Sequence, residues 1–278
     1  MYPRLFQFGP FTLPTYGACL AIGLVAALFL ALYTARRLRV EPESMWNLCM
    51  LVVFSVLLGT KLLLIVTNWH DFLHYPVLML SLPVTRSIST LLSGFLLALI
   101  TGLIYMRVKK MPWLRTLDAA APPLALAASI ASLGAFAAGS GYGTATTLPW
   151  GVIFRNRWAA YWYGTPLGVR LHPTQMYECV LAFLLCVFLL WLLPRRRQDG
   201  EGIGAWLFLY GLVIFWLDFF RGDASRKIFF AGTFSITQSI AFVVVIAGAL
   251  LWLQRPAPSA SAPDSASDSS SGDEMHAD

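Results

Sequence analysis

The chain has 278 residues, of which 58% are hydrophobic and only 12% are charged, with a mean hydropathy of +0.66 and a formal net charge of +6. Soluble domains carry about a quarter charged residues, so this composition excludes an ordinary soluble domain. It predicts an all-α polytopic membrane protein that works within a lipid bilayer, with no nucleic-acid partner.

Seven segments are long and apolar enough to be transmembrane helices, because a spanning helix needs about 20 mostly apolar residues. In chain order they are Phe11–Ala35, Met45–Thr67, Ile88–Met106, Leu117–Gly139, Gln175–Leu193, Ile203–Phe220 and Phe234–Leu253. The fourth segment is the least hydrophobic and the richest in Ala and Gly, which favours a helix packed inside the bundle.

Basic residues near the ends of these segments predict the orientation, since Lys and Arg are enriched in cytoplasmic loops. Such residues follow the first, third, fifth and seventh segments, which an alternating path puts on one side: Arg36, Arg37, Arg39, Arg107, Lys109, Lys110, Arg195, Arg196, Arg197 and Arg255. We therefore expect seven spans with the N-terminus outside and the C-terminus in the cytoplasm. The Ser-, Ala- and Asp-rich tail of residues 256–278 is expected to be disordered.

The connection between the fourth and fifth segments, residues 140–171, is long enough to form a small extracytoplasmic head. It begins with closely spaced glycines, and Trp150–Phe154 is typical of a short strand. Its Arg155, Arg157 and Arg170 alternate with aromatic residues. This pattern fits a surface that binds an anionic lipid headgroup, and it fits equally well an aromatic belt with ordinary flanking cations.

A polar stretch, His172–Glu178, directly precedes the apolar run of the fifth segment. Pro173 suits the first turn of a helix, so the stretch is either a helix start with a polar cap or part of a functional site. Glu178 lies inside the span, where an ionisable residue is expensive, and Gln175 lies about one turn before it.

Asp218 and Arg221 close the sixth segment, again one turn apart. They are either further members of the same site or a pair that neutralise each other. The four cysteines lie within predicted spans and lack metal-ligand spacing. We therefore expect no metal and no cofactor, and any thiol chemistry has to use a thiol from another molecule.

The chain up to residue 253 resembles the prolipoprotein diacylglyceryl transferase family of bacterial inner membranes. The most specific of the matching residues are those of His172–Glu178. The others are Tyr16-Gly17, Asp118, Ala121-Pro122, Leu124, Gly134, Phe136, Gly139, Tyr142-Gly143, Leu148–Trp150, Tyr210-Gly211, Asp218–Arg221, Asp223 and Gln238-Ser239.

The resemblance implies transfer of the diacylglyceryl group of phosphatidylglycerol to the lipobox cysteine that follows a prolipoprotein signal peptide. It implies seven spans with the N-terminus outside. The candidate catalytic residues are Arg221, Asp218, Glu178 and His172. The candidate substrate-binding residues are Tyr16, Gly139, Tyr142, Gly143, Gln175 and Tyr177.

The chain departs from the family pattern at several polar positions. Leu92 replaces a His or Tyr, Ser132 replaces an Arg, and Ala135 replaces an Asn or Cys. Ile214 replaces a frequent Arg, and Asp218 replaces the usual Glu. A catalytically impaired paralogue that binds phospholipid or lipoprotein without transfer is therefore the alternative hypothesis. A small-molecule transporter is disfavoured because no inverted repeat is evident.

Overall fold

The computed structural model of the protein describes residues 4–8, 11–74, 88–222, 228–229 and 234–253. The tail of residues 256–278, predicted to be disordered, lies outside these residues, as does Asp223. The helices are α1 (Thr15–Arg37), α2 (Pro42–Thr67), α3 (Trp69–His74), α4 (Ile88–Val108), α5 (Trp113–Ala138), α6 (Arg157–Tyr163), α7 (Thr174–Leu192), α8 (Glu201–Phe220) and α9 (Ile236–Leu253). A 3₁₀ turn, Leu193–Arg195, follows α7.

Three short antiparallel hairpins accompany the helices. They pair β1 (Arg4–Phe8) with β2 (Phe11–Pro14), β3 (Val152–Ile153) with β4 (Arg170–Leu171), and β5 (Ile228–Phe229) with β6 (Phe234–Ser235). The first predicted span therefore begins too early, since Phe11–Pro14 is a strand and the helix starts at Thr15. The last predicted span also begins too early, since Phe234–Ser235 is a strand and the helix starts at Ile236.

Six helices in the described part of the chain are long and apolar enough to cross a membrane: α1, α2, α5, α7 with its 3₁₀ turn, α8 and α9. They correspond to six of the seven predicted spans. The remaining predicted span, Ile88–Met106, is the helix α4, in which Leu92–Val108 forms a shorter apolar stretch.

Helix α5 lies at the centre of the bundle and packs against α1, α7 and α8. Its small side chains allow close approach: at Gly134, a Cβ would lie 2.6 Å from the Cβ of Cys19 on α1. Farther along the same pair of helices, the Thr34 hydroxyl donates to the carbonyl of Ala119 at 2.6 Å. The expectation that the Ala- and Gly-rich segment packs inside is confirmed.

A buried carboxylate at the N-terminal end of α5 joins three elements. Asp118 is fully buried and pairs with Arg196, which follows the 3₁₀ turn, at 2.8 Å. It also accepts hydrogen bonds from the backbone N–H groups of Gly200 and Ile203, at 2.8 and 2.9 Å. A helix start leaves its first N–H groups without partners, so Asp118 caps α8 from a neighbouring helix.

The residues between α5 and α7, which we call the head segment (residues 140–171), fold over one end of the bundle. Strands β3 and β4 pair Val152 with Leu171 and Ile153 with Arg170. The predicted strand at Trp150–Phe154 is therefore present, but only two residues long. Tyr142, Phe154 and Leu171 are buried beneath it and form its small core.

Replacing Asp118 tests its role as a cap. We expect Asp118→Ala to destabilise the protein by about 3–5 kcal/mol, because it leaves two buried backbone N–H groups without their acceptor and removes the buried partner of Arg196, which keeps its contact with Asp199. The matched control is Asp199→Ala. Asp199 also pairs with Arg196, but 35% of its side chain is exposed, so its loss costs far less. Thermal unfolding of the purified protein in detergent measures both, and equal losses would contradict the capping role.

Candidate active site

The glycine-containing turn after α5, which we call the glycine loop (residues 139–143), is attached to the start of α7. The Gln175 side-chain amide donates to the carbonyl of Ser140 at 2.7 Å, and the Thr174 hydroxyl donates to the carbonyl of Gly141 at 2.8 Å. The N–H of Gly143 donates to the carbonyl of His172 at 3.1 Å. The polar stretch before α7 therefore both begins a helix and holds this loop.

The same loop is attached to the end of α8. The N–H of Gly222 donates to the carbonyl of Tyr142 at 3.0 Å, and the N–H of Thr144 donates to the carbonyl of Phe220 at 2.8 Å. A Cβ at Gly143 would lie 2.9 Å from that Phe220 carbonyl, so only glycine allows this approach. The C-terminal ends of α5 and α8 and the N-terminal end of α7 thus meet at one place.

Arg221 and Gln175 border the same space beside Gly141. Gly141 has a left-handed φ of 67°, and a Cβ there would lie 3.6 Å from Nη2 of Arg221 and 3.9 Å from Cγ of Gln175. Within the described part of the chain, the Arg221 guanidinium donates no hydrogen bond to protein. This is the arrangement expected of a cation that binds an anionic ligand.

Glu178 and Tyr210 connect α7 to α8 just inside the bundle. The Tyr210 hydroxyl donates to Oε1 of Glu178 at 2.8 Å, and the Tyr210 ring stacks on Trp206 with centroids 5.4 Å apart. Tyr210 lies midway along α8 and Glu178 lies in the second turn of α7, so this contact joins the two helices within the bundle.

His172 lies at the edge of this group and is oriented by aromatic residues. Its Nδ1 is 3.4 Å from the hydroxyl of Tyr177, which accepts a hydrogen bond from Nε1 of Trp150 at 2.8 Å. The imidazole also packs against the Phe220 ring, with centroids 5.4 Å apart. His172 is half-buried, so it keeps access to solvent and to a proton acceptor or donor.

Asp218 is held by the start of α9. Its Oδ2 accepts a hydrogen bond from the Ser235 hydroxyl at 2.6 Å, and all but 3% of the residue is buried. Ser235 in turn forms a capping box with Gln238, in which each side chain accepts from the other residue's backbone N–H. Asp218 thus fixes α9 against the helix that carries Arg221.

Two predicted substrate-binding residues have clear packing contacts in the head segment. Tyr142 is buried, and its hydroxyl donates to the carbonyl of Gly164 at 3.1 Å. Gly139 ends α5 with a left-handed φ of 84°, where a Cβ would lie 2.8 Å from the Cβ of Ala159. The nearby Tyr163 is partly buried, and burial raises the pKa of its phenol above the ordinary value.

The basic and aromatic residues of the head segment cluster around α6. The rings of Trp158, Tyr161, Trp162 and Tyr163 contact one another in succession. Trp158 and Tyr161 are exposed, which is typical of aromatic residues at a bilayer surface. Arg155, Arg157 and Arg170 are exposed as well, and Arg170 donates to the carbonyl of Leu148.

Three of the positions at which the resemblance led us to expect other residues have different surroundings. Leu92 lies on α4 with 54% of its surface exposed, whereas Ser132 is buried on α5. Ala135 is half-buried, and its carbonyl accepts the N–H groups of Gly139 and Ser140 that end the helix. Of these three residues, only Ala135 directly supports the glycine loop.

Tyr210 is a site residue that the reasoning from the sequence missed as a functional group. Its spacing carried a signal, since Asp218 and Arg221 follow it by eight and eleven residues on the same helix, which puts all three near one face. The hydrogen bond to Glu178, from a helix 32 residues away in sequence, had no such signal.

Comparisons with known proteins identify the family of the chain. The family model described as prolipoprotein diacylglyceryl transferase matches residues 3–254. A phosphatidylglycerol–prolipoprotein diacylglyceryl transferase of Clostridium tetani is 31% identical over 254 residues, covering 89% of this chain and 95% of that protein. Its counterpart from Geobacter sulfurreducens is 28% identical over 251 residues, covering 88% and 92%.

Removing single hydroxyls tests the Glu178–Tyr210 contact. We expect Tyr210→Phe to lower the free energy of unfolding by about 1 kcal/mol, the scale of an interhelical hydrogen bond in a membrane protein. Tyr105→Phe is the matched control, because the Tyr105 hydroxyl is buried and has no hydrogen-bonding partner among the residues that the structure describes. Its removal should be neutral or stabilising. Thermal unfolding in detergent compares the two, and an equal response would show that the Glu178 contact is not formed.

Proposed function

Because this chain belongs to the prolipoprotein diacylglyceryl transferase family, we propose that it transfers the diacylglyceryl group of phosphatidylglycerol to a prolipoprotein cysteine. The observation that carries the proposal is the Arg221 guanidinium beside the glycine loop, which donates no hydrogen bond to any described residue, together with the Glu178–Tyr210 contact between α7 and α8. The matching relatives are named for this donor and this acceptor. The enzyme is a membrane-embedded transferase of lipoprotein biosynthesis.

The proposed topology has seven spans in the bacterial inner membrane, with the N-terminus outside, the C-terminus in the cytoplasm and the head segment extracytoplasmic. The packing supports it, because the ends of helices that carry or adjoin basic clusters meet in one hydrophobic cluster. This cluster includes Ala35 and Leu38 at the end of α1, Met106 in α4 and Leu193 after α7. The glycine loop lies at the opposite end of α5, on the outer side in this topology.

The reaction replaces a carbon–oxygen bond with a carbon–sulfur bond. The cysteine of the prolipoprotein loses its proton, since the thiolate is the nucleophile, and attacks the glyceryl carbon that carries the phosphate ester. That C–O bond breaks, and glycerol phosphate leaves with the electron pair. Arg221 stabilises the departing phosphate, because a preorganised cation favours charge that develops in the transition state.

The other candidate catalytic residues accept the thiol proton or position Arg221. Glu178, held by Tyr210, and His172, held by Tyr177, are the candidate acceptors for the thiol proton. Asp218 positions the end of α8, from which Arg221 projects. Gly139, Tyr142 and Gly143 belong to the glycine loop that receives the lipid headgroup, and Gln175 holds this loop in place. Tyr16 lies at the start of α1.

Complementation tests the proposed activity. We expect the wild-type chain to restore growth of a strain depleted of its own transferase and to add diacylglycerol to a reporter lipoprotein, detected by mass spectrometry. Arg221→Ala should lower transfer by about 100-fold or more, the usual loss when one oxyanion-stabilising group is removed. Arg221→Lys should recover part of it, because the charge remains and the two-pronged geometry does not.

The control for this experiment is Arg195→Ala. Arg195 is exposed at the opposite end of the bundle, where it lies 4.5 Å above the Trp191 ring, so transfer should be unchanged. A wild-type protein that is expressed and inserted but adds no diacylglycerol would overturn the proposed function in favour of a binding paralogue. Normal transfer by Arg221→Ala would remove only Arg221 from the proposal.

Two glycine substitutions test whether the space beside Gly141 is used. Gly141→Ala and Gly164→Ala impose the same left-handed strain, since φ is 67° and 69°, and for L-residues this costs about 1–2 kcal/mol. Only at Gly141 does the added methyl group approach Arg221 and Gln175; at Gly164 it meets open space. We expect Gly141→Ala to lower the transfer rate by a further 10- to 100-fold or so. Equal rates would show that this space is not part of the site.

A further inference from the structure

Gln175 carries a buried acceptor that the protein does not satisfy. Its residue surface is only 3% exposed, and its side-chain amide orientation is set by the hydrogen bond from Nε2 to the carbonyl of Ser140. The other end of the amide, Oε1, is buried and accepts no hydrogen bond from any described residue. Leaving a buried acceptor unpaired is costly. Because the Gln175 side chain borders the space beside Gly141 through its Cγ, a ligand that fills this space is the candidate source of the missing donor.

Arg221, which borders the same space, limits the chemistry of the donor group that the ligand supplies. The position of a Cβ on Gly141 is within 4 Å of both Gln175 and the Arg221 guanidinium. A ligand that fills this space has an anionic group for Arg221 and a hydrogen-bond donor a few bonds away. A neutral hydroxyl fits beside Arg221, whereas an ammonium group would be repelled by the like charge.

We propose that Oε1 of Gln175 accepts a hydrogen bond from a headgroup hydroxyl of the donor phospholipid and thereby selects a phosphate esterified to a polyol. The inference rests on the proposed function, because it takes Arg221 as the partner of the lipid phosphate. The inference adds a residue that determines which headgroup the protein accepts. A site built to bind a hydroxyl rejects an analogue that lacks the hydroxyl.

The test compares three lipids with the same acyl chains on the purified full-length protein. Phosphatidylglycerol offers phosphate and hydroxyls, phosphatidylpropanol offers the phosphate alone, and phosphatidylethanolamine offers an ammonium group. Native mass spectrometry of equimolar mixtures measures which lipid is retained. The wild-type protein should prefer phosphatidylglycerol over phosphatidylpropanol by about 10-fold, as expected for one hydrogen bond to a buried acceptor, and should retain phosphatidylethanolamine least.

Two variants separate recognition from loop support. Gln175→Met keeps the length of the side chain and removes the acceptor together with the Nε2 donor to the Ser140 carbonyl, so the preference should fall to near unity; phosphatidylpropanol retained as before shows that the lost donor to the loop is not the cause. Thr174→Val removes the neighbouring hydrogen bond to the loop, at the Gly141 carbonyl, and keeps the acceptor, so the preference should survive. Retention of phosphatidylpropanol also reports that each variant is folded.

Three results would overturn the inference: equal retention of phosphatidylglycerol and phosphatidylpropanol by the wild-type protein, a preference unchanged in Gln175→Met, or the same loss in Thr174→Val. Retention of phosphatidylethanolamine as strong as that of phosphatidylglycerol would contradict the choice of a hydroxyl. Transfer to a reporter lipoprotein is measured separately with each lipid. A clear preference without any transfer would contradict the proposed function and leave the headgroup contact standing.

Discussion

Backbone groups at the ends of helices inside an apolar bundle have to find partners within the protein, and this requirement shapes both ends of α5. A lipid environment offers no water to substitute for them. At one end the glycine loop supplies carbonyl and N–H groups to α7 and to the residues after α8. At the other end the carboxylate of Asp118 accepts from Gly200 and Ile203 and pairs with Arg196. Both anchors depend on a central helix of small residues.

The candidate site follows from the first of these anchors. Because the glycine loop holds the start of α7 against the end of α8, residues far apart in sequence share one small region. Glu178 meets Tyr210 there, and Gln175 and Arg221 flank Gly141. Among the described residues, the hydrogen bonds that support the loop leave the Arg221 guanidinium and one amide oxygen of Gln175 without a partner. These two groups are what a phosphate ester with a hydroxyl-bearing headgroup would need.

Arg221 has a central place in the candidate site. Among the described residues its guanidinium borders the glycine loop at Gly141, whereas Ser132 and Ile214, where the resemblance led us to expect arginine, are uncharged. Leu92, where the resemblance led us to expect a His or Tyr, is largely exposed on α4. Asp218, one methylene shorter than the usual Glu, still reaches Ser235 at 2.6 Å. A site of this kind depends on the precise position of the end of α8, which the Asp218 contact with α9 provides.

The sequence by itself determined that the chain lies in a membrane, six of its spanning helices, the burial of the Ala- and Gly-rich helix and the family, through the residues of His172–Glu178. The length of the apolar segments and the local motifs suffice to predict these features, because the features depend on residues close together in sequence and on the surrounding solvent. Only the tertiary structure decided that Gln175 binds the glycine loop with one end of its amide and leaves the other unpaired, that Tyr210 is the partner of Glu178, and that Asp218 supports α9. Each of these contacts depends on which helix ends lie next to each other. The geometry of the loops and the packing of small residues determine this, and they act between residues that are far apart in the sequence.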